Sequence, residues 1–270
     1  LFHGVAAHAA FAPERGRSAL DAVMLMGTGI EYMREHVPSN TRIHYIVSNG
    51  GAAPNIVPDT AELFLYARSP SLDTLDGIWN RIVKVGQGAA MMTETTLEVK
   101  ILGSDNNIVA NDALAKVAQK NLEEVGGFRY TAEEEHFAGA LQKSLPPGGA
   151  RDPGSTAAIE PLRAFDPNEP AASTDVGDVS WNVPTIGFIG ATFVPGVVPH
   201  TWQAAACAGM SIGQKGMLVA AKALAITGAD LFMSPQLVED AKKDFARQLV
   251  GKSYKSEIPA GQKPPLDYRF

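Results

Sequence analysis

"ELFLYARSPSLDTLDGIWNRIV", residues 62–83, carries two periodicities on either side of one short turn. Over residues 62–68, Leu63 and Leu65 oppose Phe64 and Tyr66, the period-two alternation of a half-buried strand. From Ser71 onward Leu75, Ile78, Trp79, Ile82 and Val83 recur at helical spacing, and Asp73 and Asp76 lie where the positive end of the helix favours them. A strand therefore feeds directly into an amphipathic helix.

The flanks repeat the pair. Residues 42–47 alternate again, with Ile43, Tyr45 and Val47 on one side. Before them Ser18 can cap a helix with Asp21 in its first turn and Leu20, Val23, Met24 and Met33 near one face, although Gly27 and Gly29 weaken it. The apolar first ten residues predict a strand running into a loop at 11–16. Downstream, residues 95–102 set Leu97, Val99 and Ile101 against Thr96, Glu98 and Lys100. Strand, helix, strand, strand, helix, strand is the ferredoxin-like βαββαβ plan, predicted here for residues 1–112.

Beyond Asn111 the character changes. A helix to about residue 125 precedes a stretch rich in Pro, Gly and Ala over 144–172, which reads as a functional loop or a flexible connector. Residues 183–190 predict a buried strand, 214–232 a mostly apolar helix able to cover a sheet, and 257–270 a proline-rich extended arm. Residues 113–270 thus read as the C-terminal part of an α/β domain, and the chain as α/β (α+β).

The 270 residues carry a formal charge of −6 with no run of Lys or Arg, which argues against a nucleic-acid partner. One cysteine, Cys207, excludes an internal disulfide and suits a reducing, cytoplasmic compartment. No stretch approaches the ~20 uninterrupted apolar residues of a spanning helix, so no membrane is expected. The first residue is Leu1, not methionine, and an N-terminal portion is expected to precede it.

Chemistry has few candidate seats. His8 stands among alanines in "GVAAHAAFAP", so a ligand or second polypeptide can approach an imidazole able to donate to a developing oxyanion; a turn with a satisfied histidine is the alternative. Asn55, in a Gly and Pro loop, can hold a carbonyl, and Arg68, at a strand end, matches a carboxylate; a turn residue and a rim ion pair are the plainer roles. His200 follows Pro195, Gly196 and Pro199 in a strand-end loop. Asp175 and Asp178 in "STDVGDVSW" can orient a base or metal ligand, or serve as a turn and a helix cap. Ser211 sits in a G-x-S-x-G match, but no convincing strand precedes it and no histidine follows it.

Together, "GVAAHAAFAPERGRSALDAV", "GGAAPNIVPDTAELFLYAR" and "STDVGDVSW" with "VPHTWQ" resemble the dinuclear zinc aminoacylase and glutamate carboxypeptidase family, most closely its aminobenzoyl-glutamate-hydrolysing branch. The similarity runs in order through most of residues 1–235. It implies a ferredoxin-like lid and dimerisation domain inserted into a zinc-peptidase α/β domain, acting as a homodimer on the amide of an N-acyl or p-aminobenzoyl amino acid such as glutamate. It further implies that His8 reaches into the partner's site to stabilise the oxyanion, that Asn55 and Arg68 hold the substrate's carbonyl and carboxylate, and that His200 ligates one of two Zn or Mn ions. Asp178 lies near an acidic position of the family. The family's remaining metal ligands and its glutamate base are not found in these residues, so the chain alone is expected to be inactive. A non-catalytic dimerisation or ligand-binding protein built from the same lid is the alternative.

Overall fold

A computed structural model describes residues 1–164, 166 and 172–266. The chain divides into two compact units: residues 1–107 with the described parts of 166–175 and 255–270, and residues 108–164 with 176–254.

The first unit opens with two short strands, β1 (Phe2–His3) and β2 (Ala7–His8), followed by helix α1 (Ala19–Arg34). Then come β3 (Arg42–Asn49), β4 (Ile56–Val57), β5 (Thr60–Arg68), helix α2 (Leu72–Thr93) and β6 (Thr96–Leu97). The main sheet runs in the order β3-β5-β1-β6 with every neighbour antiparallel, which is the expected βαββαβ topology. Both helices start where their side chains dictate. The Ser18 hydroxyl accepts from the Asp21 N–H at 3.1 Å, and that of Ser71 from the Thr74 N–H at 3.4 Å.

Phe2, Val23, Ile30 and Ile82 are fully buried between helices and sheet, worth about 1.5–3 kcal/mol each. The two glycines that weakened α1 are close-approach points. A Cβ on Gly27 would lie 3.1 Å from the Tyr45 hydroxyl, and one on Gly29 2.6 Å from Val85 Cγ1, so their absence lets β3 and α2 pack against the helix. The last strand is shorter than its alternation predicts: residues 98–102 are irregular, although the Glu98 N–H still bonds the Leu1 carbonyl.

Among the described residues the second unit is helical: α3 (Asp112–Val125), α4 (Ala132–Gln142), α5 (Val176–Ser180), α6 (Trp202–Ala208), α7 (Ser211–Met233) and α8 (Pro235–Gln248). Asn111 caps α3, and a reciprocal Thr131/Glu134 capping box opens α4. The buried Asn121 amide donates to Thr227 Oγ1 at 3.1 Å and to the Asp230 carboxylate at 3.0 Å, tying α3 to α7.

Residues 183–190 correct the sequence reading, because they form no strand and Ile189 is almost wholly exposed. Apolar composition suits a strand only beside a ladder partner, and no strand lies in this unit among the described residues. Within 144–172, Pro153–Ala157 form a 3-10 helix whose Thr156 hydroxyl bonds the Phe128 carbonyl; residues 165 and 167–171 lie outside the described residues, as do 267–270 of the expected arm. Helix α7 meets the length and hydropathy of a membrane-crossing segment, with a mean hydropathy of 1.5. Counting uninterrupted apolar residues missed it because Lys215, Lys222 and Asp230 break the run. Met217, Leu218 and Leu224 are exposed along it.

Candidate functional site

The β2–β4 ribbon decides where His8 stands. Ala7 faces Val57 and His8 faces Ile56, and one rung further the Ala9 N–H donates to the Asn55 carbonyl at 3.0 Å. Two residues 47 positions apart are thereby placed on adjacent rungs, both exposed. The chain turns immediately afterwards, with the Ala12 N–H returning to the His8 carbonyl at 3.1 Å. Inside that turn the Ala10 and Phe11 N–H groups both donate to His8 Nδ1 at 3.2 Å. The Phe11 ring lies against the imidazole with centroids 4.5 Å apart, although 87% of Phe11 is exposed. Nδ1 is thus committed to the turn, and Nε2 is the ring atom left for anything that arrives.

Arg68 is elsewhere. It closes β5 opposite Arg42, on the sheet face away from the Ile43 and Leu63 core, and its guanidinium lies 5.5 Å from the centre of the Tyr66 ring. Like charges directly opposite on a sheet destabilise it, so a strand end with two arginines is a favourable seat for an anion. Sequence reading named Arg68 but not Arg42 or Tyr66, because only the register reveals that pairing. Eight strand steps separate Arg68 from Thr60, the end of β5 nearest the ribbon, or about 26 Å at ~3.3 Å per residue. One protomer therefore unites His8 with Asn55 and leaves Arg68 remote from both.

In the second unit His200 adopts φ +63°, a left-handed conformation unusual for a residue with a side chain. It is exposed and immediately precedes Thr201, whose hydroxyl caps α6 by accepting from the Ala204 N–H. Upstream, Gly196 has φ +98°, and a Cβ there would lie 2.1 Å from the Gly149 carbonyl oxygen, so the loop is closely seated before the histidine. Asp175 is exposed just ahead of α5; Asp178 is half-buried in its first turn, where its carbonyl accepts from the Asn182 amide at 2.9 Å.

Ser211 has a structural role. It starts α7 and donates to Glu134 at 2.6 Å, while Lys215 Nζ reaches the other carboxylate oxygen at 2.5 Å. A carboxylate held this way is no proton acceptor for a nucleophilic serine. Among the described residues no three His, Cys, Asp or Glu side chains gather as a metal site. The residues present do not fit a two-metal centre by themselves. Grooves of about 390 Å³ between α1 and α2 and about 330 Å³ beside α3 include none of the candidate residues. His8, Asn55 and Arg68 stand on open surface, where water competes with every polar contact until another body covers them.

Residues 2–90 match the peptidase dimerisation domain, a span containing His8, Asn55 and Arg68. The chain is 34% identical to one of the p-aminobenzoyl-glutamate hydrolase subunits of Escherichia coli, over 97% of this chain and 59% of that protein. It is 30% identical to the Xaa-Arg dipeptidase of Mus musculus, over 92% of this chain and 50% of that protein. A crystal structure of an aminobenzoyl-glutamate utilization protein from Klebsiella pneumoniae aligns with 46% of this chain and 32% of its own at 28% identity, with a TM-score of 0.40, too low to bear on geometry. The chain spans about half to three-fifths of the length of these curated relatives.

Proposed function

With a peptidase dimerisation domain in residues 2–90 and a chain-long kinship to the M20 hydrolases, we propose that this chain is the lid and C-terminal part of an amidohydrolase that cleaves the amide of an N-acyl or p-aminobenzoyl amino acid, glutamate being the first candidate. One observation carries the reading: an exposed His8 with a free Nε2 beside Asn55, inside the matched domain. Hydrolysis of an amide builds negative charge on the carbonyl oxygen, and a positioned N–H that meets it only then speeds the reaction. In this reading His8 Nε2 is that donor, Asn55 steadies the carbonyl, and Arg68 with Arg42 holds the carboxylate end.

The length of β5 between its ribbon-side end at Thr60 and Arg68 is too great for one small substrate to bridge, which supports a homodimer in which His8 and Asn55 serve a site whose Arg68 belongs to the other protomer. His200 is proposed as one metal ligand, its φ of +63° being the supporting observation, with Asp178 of the same unit as a support. The other donors for two Zn or Mn ions would come from residues outside these 270, so no catalytic step is assigned to a metal. A cytoplasmic address goes with the reading, supported by the free buried thiol of Cys207.

Turnover of p-aminobenzoyl-glutamate and N-acyl amino acids by the full-length gene product tests it, together with metal analysis. His8→Ala is expected to lower kcat by about 10²–10³, and Arg68→Gln to raise KM. At a substrate concentration far below the raised KM of Arg68→Ala, mixing it with His8→Ala is expected to restore roughly a quarter of the wild-type rate through heterodimers carrying one intact site. No bound metal and no turnover on any N-acyl amino acid would overturn the assignment and leave the dimerisation or ligand-binding protein.

A further inference from the structure

We propose that the Ala10 and Phe11 amides lock His8 in its Nε2–H tautomer, so that the ring presents one fixed donor to an acceptor oxygen and cannot serve as a metal ligand. Neutral imidazole has one donor and one acceptor nitrogen. Nδ1 receives two N–H groups at 3.2 Å each, so a proton there would face both donors and turn both amides out to water. At about 0.5–1.5 kcal/mol net for each bond, losing the two together favours the Nε2–H form by roughly tenfold.

The neighbouring Ala9 and Ala12 N–H groups are already spent on Asn55 and on the His8 carbonyl, and the Phe11 ring lies tilted against the imidazole. Phe11 is therefore a positioning residue, acting through its amide and its ring despite lying on the surface. Metal binding at Nε2 would require the proton to leave while Nδ1 still accepts, producing an imidazolate, or the turn to break. The alanines at 6, 7, 9 and 10 keep the remaining donor accessible. That the acceptor is a reacting amide oxygen rests on the function proposed above; the tautomer does not.

Long-range proton–nitrogen NMR of the full-length protein labelled at its histidines reads the tautomer directly, with His8→Gln identifying the signal. At about pH 8.5, His8 is expected to show an unprotonated Nδ1 and a protonated Nε2, and to keep both signals unmoved on addition of Zn²⁺. In Phe11→Pro, which removes one donor, the Nδ1–H form is expected to gain at least several-fold. A mixed or Nδ1–H tautomer in the wild-type protein, or a Zn²⁺-shifted Nε2 signal, would overturn the proposal without needing any variant to fold. Full turnover by His8→Ala would remove the oxyanion role and leave the tautomer standing, so the two failures read differently.

Discussion

Replacing Glu134 by glutamine probes what holds the second unit together. The carboxylate is 5% exposed and receives Lys215 at 2.5 Å, the Ser211 hydroxyl at 2.6 Å and the Thr131 N–H at 2.7 Å. Burial pushes the carboxyl up, but the bonds from Lys215, Ser211 and Thr131 outweigh it and hold it down at about 2, against an ordinary 4.5. Because the folded value lies below the unfolded one, the stabilisation is fully present above about pH 4.5 and is lost as the pH falls toward 2. That gap corresponds to about 3 kcal/mol. Lys215 is 32% exposed, and water screens the pair, which reduces the expected contribution to about 1–2 kcal/mol. Glu134→Gln should be less stable than wild type by that amount near neutral pH, with the difference closing near pH 2. Other carboxylates titrate in both proteins and cancel. Two compact units make a single melting curve ambiguous, so the measurement is hydrogen exchange in α4 and α7, read as variant minus wild type across the pH range. A deficit of equal size at neutral pH and near pH 2 would refute the ion-pair account and point to lost packing alone.

Gly4→Ala should destabilise the first unit by about 2 kcal/mol or more, measured by urea unfolding, since a Cβ there would lie 2.0 Å from the Arg17 carbonyl oxygen beside the Val5–Arg17 bridge. Ser211→Ala should leave amide turnover unchanged while costing about 1.5–3 kcal/mol of stability in the second unit, because the serine serves Glu134 rather than a substrate. Arg42→Thr should raise KM for a carboxylated substrate, the more so at low salt, and an unchanged KM would remove Arg42 from the anion seat.

The elements that follow a local period were readable along the chain. Alternation over 62–68 and helical recurrence after Ser71 mark β5 and α2 because backbone geometry imposes those periods whatever packs against them. The caps Ser18 and Ser71 were legible for the same reason: the side chain and the N–H it accepts from are three residues apart. Residues 183–190 show the limit. Their composition is that of a buried strand, but a strand is a pairing, and the partner is not encoded in the segment itself.

The candidate site lies almost wholly beyond that limit. His8 and Asn55 meet through a ribbon of two residues per strand, too short to leave any periodicity, and Arg42 meets Arg68 only through a register that one slipped residue would turn to the opposite face. The Ala10 and Phe11 amides that hold Nδ1 belong to the backbone, which every residue but proline supplies, so no side-chain pattern could announce them. Glu134, Ser211 and Lys215 converge across 77 and 81 positions. The serine motif was legible and led away from this arrangement, whereas the alanines around His8 indicated accessible space without saying what fills it. A single exposed donor and a distant arginine pair acquire a common substrate only when two copies are considered together. That makes recovery of activity in mixed His8→Ala and Arg68→Ala protein the sharpest discriminator, since a site built within one protomer would stay silent in every mixture.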